Sequence, residues 1–585
     1  VGPALKSGVS PADPKTETAM STSHDHQAPA IPSTTPHAPP PANGRRARRR
    51  GTEVAADLRG RLAAHRALVT AITVGLIILV SGAVLLRAAI DDSVTTDEIF
   101  YVHTGACAFN TGLVDLEPTN PAGPKLLAGI GAELSGVPTD TACNADSYQS
   151  LMQHASVGNL RRLIVFARIP AILITLALIL VSALWAYRLA GPVASVLAAA
   201  FVGFDPTIMA HGHLATLDVP LTFGFVSCLA ALWQWHTGGR RRWLAIAGLA
   251  LGFALLSKAG AVILIPVAIA LIFATGRGGI IARLRRVVVP AVVLVGVAYV
   301  VVTAVYAPFG FSEPTHAWLP TGFNWLVPES WLWGAHWQLV DHISSAGNYI
   351  SWLNGQQHLA NTWLYFPEAF LLKTTIASLC AMLIGVAWLA WRRSPALVWV
   401  FAPGVVYFAV TMKSGINIGI RYLAPSIALF SITAAVGLAL LPRAWPAIGG
   451  VLAVAAIAAT LAGPVGSIGY FNAFATGRHS YYLADSNIDW GQDGWRLRDW
   501  WQAHGKPLLE VDLFGGLPAS YYVPTAIDVG GPHNERWDYS VVAPVPDRLL
   551  ITSVNEGTLW STFTPEVAAA RCYIGTSLVV VGAVC

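Results

Sequence analysis

Charge is scarce in this chain: only 12% of its 585 residues are Asp, Glu, Lys or Arg, while 54% are apolar. Globular chains carry about a quarter charged residues, and a soluble protein this poor in charge would expose apolar surface that drives aggregation. An ordinary soluble fold is thereby excluded. The net charge is small as well, formally +5, and the arginines stand in short clusters between apolar runs, which argues against a nucleic-acid partner. No internal repeat is visible, and no cleavable signal peptide is expected. Lys and Arg are missing altogether from Ala307 to Leu372.

What is present is apolar sequence in long runs. A hydrocarbon core about 30 Å thick needs roughly 20 apolar residues per helix. Candidate spans are 67–90, 163–188, 191–204, 218–236, 243–257, 260–276, 287–306, 367–391, 396–412, 421–441 and 446–463. They predict an all-α polytopic membrane protein of about 11 transmembrane helices, two of them short. Residues 1–66, Pro-rich at first and carrying the basic stretch Gly44 to Arg50, predict a disordered cytoplasmic tail beside anionic lipid. With that tail inside, the cytoplasmic connections hold Arg188, Arg240 to Arg242, Arg277, Arg283, Arg285, Arg286, Arg392, Arg393 and Arg443, as the positive-inside rule requires.

The expected layout is a membrane domain over 67–463, with outer loops 91–162 and 307–366, and an extracytoplasmic C-terminal domain over 464–585 in the cell membrane. The second loop is Trp-rich (Trp318, Trp325, Trp331, Trp333, Trp337, Trp352, Trp363), which suits the headgroup level. In the tail, strand-like runs Leu508 to Phe514, Arg548 to Val554 and Ser577 to Val581, with a helix near 490–503, suggest a small α/β domain. Cys228 and Cys380 fall within spans as packing residues. Cys107 and Cys143 share the first outer loop, and Cys572 and Cys585 share the tail. An oxidising exterior predicts a disulfide within each pair, and neither pair has zinc-site spacing.

Four polar stretches could carry chemistry. Asp97-Glu98, just beyond the first span, are either two solvated acids or a general base placed where a lipid-linked donor presents its sugar. Asn120-Pro-Ala-Gly-Pro-Lys125 is a rigid turn whose lysine either snorkels or holds a phosphate. In Asp205 to Pro220, Asp218 suits an N-cap and can also face a site. His211 and His213, at i and i+2, do not share a helix face and make a poor metal pair. Arg421, at the outer start of a span, calls for an anion, either a lipid headgroup or a donor phosphate. Lys258 and Arg168 are embedded charges and functional candidates for that reason; Lys373 stands just inside a span and could simply snorkel.

Together these motifs resemble glycosyltransferase family 39, the protein O-mannosyltransferases and aminoarabinose transferases of the glycosyltransferase-C superfamily, in its bacterial phospholipid carrier-dependent branch. The resemblance covers about residues 67–525 and continues through Trp363-Leu-Tyr365-Phe-Pro367, Asn417…Arg421-Tyr422…Pro425, Tyr470-Phe-Asn472 and Asp485-Ser-Asn487-Ile-Asp489-Trp490. It implies a glycosyltransferase-C fold and inverting transfer of a sugar, mannose or another hexose or pentose, from a polyprenyl phosphate to a hydroxyl of a protein, glycan or lipid. Asp97 would be the base, Asp218 a second carboxylate, and Glu98 would place the acceptor. Lys125 and Arg421, with Lys258 and Arg168, would serve the phosphate; Tyr365, Tyr422, Asp485, Asn487 and Asp489 would line the site or shape its acceptor side.

Ala122-Gly123 stand where family members often have Glu-His, so no obligatory metal or other cofactor is expected there, although a divalent cation elsewhere stays open. His213 stands where arginine is common. The rival readings are a lipid or sugar transporter, which would not need acids and prolines concentrated in outer loops, and a non-catalytic membrane scaffold, for which Asp97 would be dispensable.

Overall fold

The structure, a computed structural model, describes residues 43–114, 116–139, 143, 155–310, 327–341, 351–359, 362–442, 445–464, 466–477, 479–529, 548–554 and 572–581. The chain divides into two compact units, Val1–Ala64 and His65–Cys585. Against the disordered tail expected over 1–66, residues 43–66 belong to a helix, and residues 1–42 lie outside the described residues.

The helices, in order, are α1 (Asn43–Asp91), α2 (Thr96–Thr111), α3 (Gly123–Leu134), α4 (Val157–Ala190), α5 (Pro192–Gly203), α6 (Pro206–Gly212), α7 (Asp218–Gly238), α8 (Arg241–Ser257), α9 (Leu264–Ala274) and α10 (Ile280–Tyr306). After them come α11 (Glu329–His336), α12 (Tyr365–Lys373), α13 (Ile376–Trp391), α14 (Ala402–Lys413), α15 (Ala424–Ala439) and α16 (Pro446–Leu461). Proline at the first turn opens α5, α6 and α16, where its missing N–H costs nothing. Gly239, left-handed at φ 65°, closes α7.

Among the described residues four helical stretches are long and apolar enough to cross a membrane: Ala63–Asp91, Val157–Ala190, Ile280–Phe309 and Ile420–Ala439. Two bent pairs raise the number to six if each counts as one span: α5 with α6 at 61°, and α12 with α13 at 111°. The expected eleven are therefore not confirmed among the described residues. Hydropathy reads the composition of a window, not the continuity of a helix. The run 191–204 stops at Asp205, whose carboxylate accepts from the N–H groups of Thr207 and Ile208 to start α6. The run 367–391 breaks at Thr374, and the hydroxyl of Thr375 caps α13 through the N–H of Ser378. Runs 260–276, 396–412 and 446–463 form only shorter apolar helices.

Helix α15 is the axis. Its apolar window is 89% buried, against 22% for those of α1 and α10, and it packs against α4, α5, α7, α13, α14 and α16. The exposed Leu, Val and Ile of α1 and α10 give those helices apolar outer faces.

The C-terminal region adds a five-stranded mixed sheet, which follows the hairpin strands β1 (Ser351–Leu353) and β2 (Gln356–His358) in the chain. Its strands are β3 (Leu509–Asp512), β4 (Ile527–Asp528), β5 (Leu549–Ser553), β6 (Tyr573–Ile574) and β7 (Leu578–Val580), in the order β4-β3-β5-β7-β6. The expected strand and helix runs fall on β3, β5, β7 and the helix Gly494–Ala503. The sheet is not a separate unit. Leu509, Val511, Ile551 and Leu578 share one core with Ile99 and Val102 of α2, Ala128 and Ala132 of α3, and Leu160, Leu163 and Ile164 of α4. Cys107 and Cys143 form a disulfide, Cα–Cα 5.6 Å. Cys572 is disulfide-bonded as well; its expected partner, Cys585, lies outside the described residues. Cys228 and Cys380 are free.

Candidate active site

A cavity of about 620 Å³ opens between α2, the turn before α3, the start of α7, the α8–α9 break, and the end of α14 with the turn into α15. Asp97, Asp218, Lys258, Arg421 and Tyr422 line it, as do Tyr101, Glu117, Asn120, Gln338 and Lys413. Close helix packing fixes part of this wall: at the α2–α3 crossing a methyl on Gly129 would overlap the backbone of Gly105.

Four charges alternate along one side. Lys258 Nζ lies 2.7 Å from Asp218 Oδ1, Arg421 Nη1 lies 3.7 Å from Asp218 Oδ2, and the same Nη1 lies 2.8 Å from Asp97 Oδ2. Asp218 opens α7 but does not cap it through its side chain, so its carboxylate is spent on the two cations. Arg421 is further held between rings, 3.9 Å from the centroid of Trp490 and 5.2 Å from that of Tyr422; Lys258 sits 4.1 Å above Tyr422. Asp97 is the most open member, its side chain 27% exposed. Its Oδ2 takes Arg421 and, at 3.5 Å, the Tyr101 hydroxyl; among the described residues no hydrogen bond reaches Oδ1.

Glu98, one residue on, lies elsewhere. It is fully buried and accepts from Arg168 Nε at 2.8 Å and Nη2 at 2.6 Å, from the N–H of Ala215 at 2.8 Å and from that of Thr95 at 2.9 Å. Arg168 spends its remaining donors on the carbonyls of Ala89, Asp92 and Ser93. Burial alone would raise the Glu98 pKa, but Arg168 and the two backbone N–H groups hold it below the usual range. Neither residue meets the cavity, contrary to the acceptor role expected of Glu98 and the phosphate role expected of Arg168. The spacing Thr95-x-x-Glu98 is a capping-box signature, and it was the signal that Glu98 turns back onto its own helix.

Other expected residues are brought close without lining the cavity. Lys125 is buried behind it, its Nζ on the Glu117 backbone carbonyl and, at 2.7 Å, on Glu117 Oε2; Glu117 lines the wall and Lys125 does not. His213 bridges Asp92 at 2.9 Å and the Met209 carbonyl at 3.0 Å. His211 packs edge-on against Trp490. Among the described residues no group of three or more His, Cys, Asp and Glu side chains could hold a metal ion.

The C-terminal motif acts on the wall from behind. Asn487 Oδ1 accepts from the Ile420 N–H at 3.0 Å, Asn487 Nδ2 donates to the Tyr365 hydroxyl at 2.8 Å, and the Ser486 hydroxyl donates to the Ile418 carbonyl at 2.7 Å. These bonds fix the turn that carries Arg421. Buried Lys373 donates to the carbonyls of Ile468 and Asn487 and lies over Phe471. Asp489 accepts from the Gly491 N–H and the Ser553 hydroxyl, and burial pushes its pKa up to about 7. Burial likewise raises Asp485 to about 6, against the pull of the Ser486 N–H and Arg421. None of Asp485, Asn487 and Asp489, expected to line the site or shape its acceptor side, lines the cavity; Asn487 holds the turn behind it.

Sequence reasoning missed Glu117, Tyr101 and Lys413. Lys413, at the end of α14, has no carboxylate partner among the described residues. Its signal was the one that singled out Arg421: a cation at the end of a span on the side where cations are rare.

Residues 74–276 match the family model described as dolichyl-phosphate-mannose-protein mannosyltransferase, which bears out the resemblance to glycosyltransferase family 39. Two solved structures are similar at low identity. ArnT from Cupriavidus metallidurans bound to undecaprenyl phosphate is 16% identical over 87% of this chain and 97% of that one, with a TM-score of 0.41. The Archaeoglobus fulgidus oligosaccharyltransferase, in complex with zinc and sulfate, is 14% identical over 73% of this chain and 55% of that one, also at 0.41. This chain thus spans about half the length of the oligosaccharyltransferase. No curated protein matches the chain.

Proposed function

We propose that the chain is a membrane glycosyltransferase that moves a sugar from a polyprenyl phosphate to a hydroxyl acceptor, with Asp97 as general base. The observation that carries this is the asymmetry of Asp97: one carboxylate oxygen pinned by Arg421, the other open on a cavity that cations share. The family match over residues 74–276 supports the reaction class and a polyprenyl-type phosphate carrier.

In the proposed reaction the acceptor oxygen attacks the anomeric carbon and its proton passes to Asp97 Oδ1. The bond between that carbon and the phosphate oxygen breaks, and its electron pair leaves with the polyprenyl phosphate. Attack opposite the leaving group inverts the anomeric configuration. Charge grows on the departing phosphate, and Arg421, Lys258 and Lys413 are the cations that line the cavity to receive it. Arg421 and Lys258 are already neutralised by Asp97 and Asp218; Lys413 brings positive charge that no carboxylate among the described residues offsets. The donor is mannosyl or another hexosyl or pentosyl polyprenyl phosphate, and the acceptor a protein, glycan or lipid hydroxyl on the outer side of the cell membrane.

Asp97→Asn tests the assignment. The amide keeps a hydrogen-bond acceptor for Arg421 but cannot take the proton, so turnover should fall about 10²–10⁴-fold with elution and melting unchanged. Wild-type turnover in a folded Asp97→Asn sample would remove Asp97 from the mechanism.

A further inference from the structure

A second cavity, of about 610 Å³, lies at the opposite end of α7 from Asp218, a helix of 21 residues and so about 30 Å away. The C-terminal turns of α7 and α9 and the second turn of α10 form it, with Trp235, His236, Ile272, Thr275, Arg277 and Arg286 among its lining residues. From Val219 to Ser312 the sequence has no Asp or Glu, while Arg240, Arg241, Arg242, Arg277, Arg283, Arg285 and Arg286 fall at this end of the helices. The cavity therefore gathers cations that none of its own helices neutralises.

A simpler role for these arginines would be to satisfy backbone carbonyls near the helix ends. Arg283 does this, donating from Nε to the Gly278 carbonyl at 2.9 Å. Arg277 and Arg286 do not: neither has a hydrogen bond or ion pair among the described residues, and both are exposed. The floor is partly apolar, through Trp235 and Ile272. Val289, Val293 and Val300, three, seven and fourteen residues beyond Arg286, continue its face of α10 as an apolar stripe, exposed at Val289 and Val300 and half-buried at Val293. A phosphate at the arginines would thus have a track for acyl chains leading away along α10.

We infer that this cavity binds the headgroup of an anionic glycerophospholipid, its phosphate between Arg277 and Arg286 and its chains along α10. The shared chemistry is a glycerol phosphate, and the apolar stripe favours the lipid over a soluble form. Binding there does not depend on the reaction proposed for the other cavity.

Native mass spectrometry of the purified full chain, titrated with phosphatidylglycerol or phosphatidylcholine, tests this. The wild type should retain one phosphatidylglycerol in preference. Arg277→Gln/Arg286→Gln should bind it roughly thirtyfold more weakly, at about a factor of five per arginine. Arg241→Gln/Arg242→Gln removes the same charge outside the cavity and should stay near wild type. Each single variant, Arg277→Gln or Arg286→Gln, should lose about fivefold, which keeps the test open if the double variant does not fold. Equal loss in the control variant would reduce the site to diffuse surface charge and overturn the inference. So would equal retention of phosphatidylcholine, or displacement of the lipid by soluble glycerol 3-phosphate at matching concentration.

Discussion

Asp97 and Glu98 are neighbours in sequence, both carboxylates and both paired with arginine, yet they sit in opposite situations. Glu98 and Arg168 are both fully buried, and every donor and acceptor of the pair is used. Asp97 and Arg421 meet on a cavity wall, with one carboxylate oxygen and the Arg421 Nε unbonded among the described residues. A closed ion pair fixes structure, because taking two charges out of water is repaid only when every remaining group is satisfied. An open one keeps capacity for chemistry. The difference comes from the helix: at the N-terminus of α2 one side chain folds back onto Thr95 while its neighbour points across to the turn before α15.

The largest effect that would sharpen this contrast is on folding. Arg168→Ala strands Glu98 without its cation, and removing one partner of a buried pair costs about 3–5 kcal/mol. The variant should melt far lower than wild type or fail to accumulate; near-wild-type melting would break the distinction. On the open side, Lys413→Ala should weaken donor binding roughly tenfold, as expected for one charge-assisted hydrogen bond, with melting unchanged. Unaltered donor affinity in that variant would remove Lys413 from the phosphate site. Asn487→Ala frees the Ile420 N–H and loosens the turn under Arg421, so kcat should drop several-fold, as for one lost neutral hydrogen bond, while Asn487→Ser restores part of it. A purely structural role would lower melting without that recovery.

The smallest effect concerns pH. The folded-state pKa of Asp489 is raised to about 7, above an unfolded value of about 3.9. The folded chain therefore holds a proton that the unfolded chain has lost, and stability falls as pH rises from about 4 towards 7. Asp489→Asn should flatten that slope in melts taken across the range; an unchanged slope would mean that other groups set it.

Much of the site was legible in the sequence, and the limit of that reading is physical. Lys258 and Arg421 stood out as charges in or at apolar spans, Asp97 and Asp218 as acids in polar stretches beside spans, and Tyr422 through the family resemblance, and all five line one cavity. What could not be read was partnership. Lys125 turns to Glu117, Arg168 to Glu98 and His213 to Asp92. The last two pairings join residues 70 and 121 positions apart, and local pattern carries no signal at that range. The C-terminal strands were visible as apolar runs, but nothing in them showed that they share a core with α2, α3 and α4. Two of the eleven expected runs are not continuous helices, because polar breaks at Asp205 and Thr374 interrupt them and a window of mean hydropathy averages such breaks away.

The proposed reaction needs the cavity beside Asp97 to take a polyprenyl-phosphate sugar and Asp97 to remove the acceptor proton. Its most direct test incubates purified Asp97→Asn protein with lipid extract of its own membranes and identifies the co-bound lipid by mass spectrometry. An intact polyprenyl-phosphate hexose or pentose should be retained by the variant and consumed by wild type once acceptor is present. A folded variant that retains no such lipid, or that turns it over as fast as wild type, would contradict it.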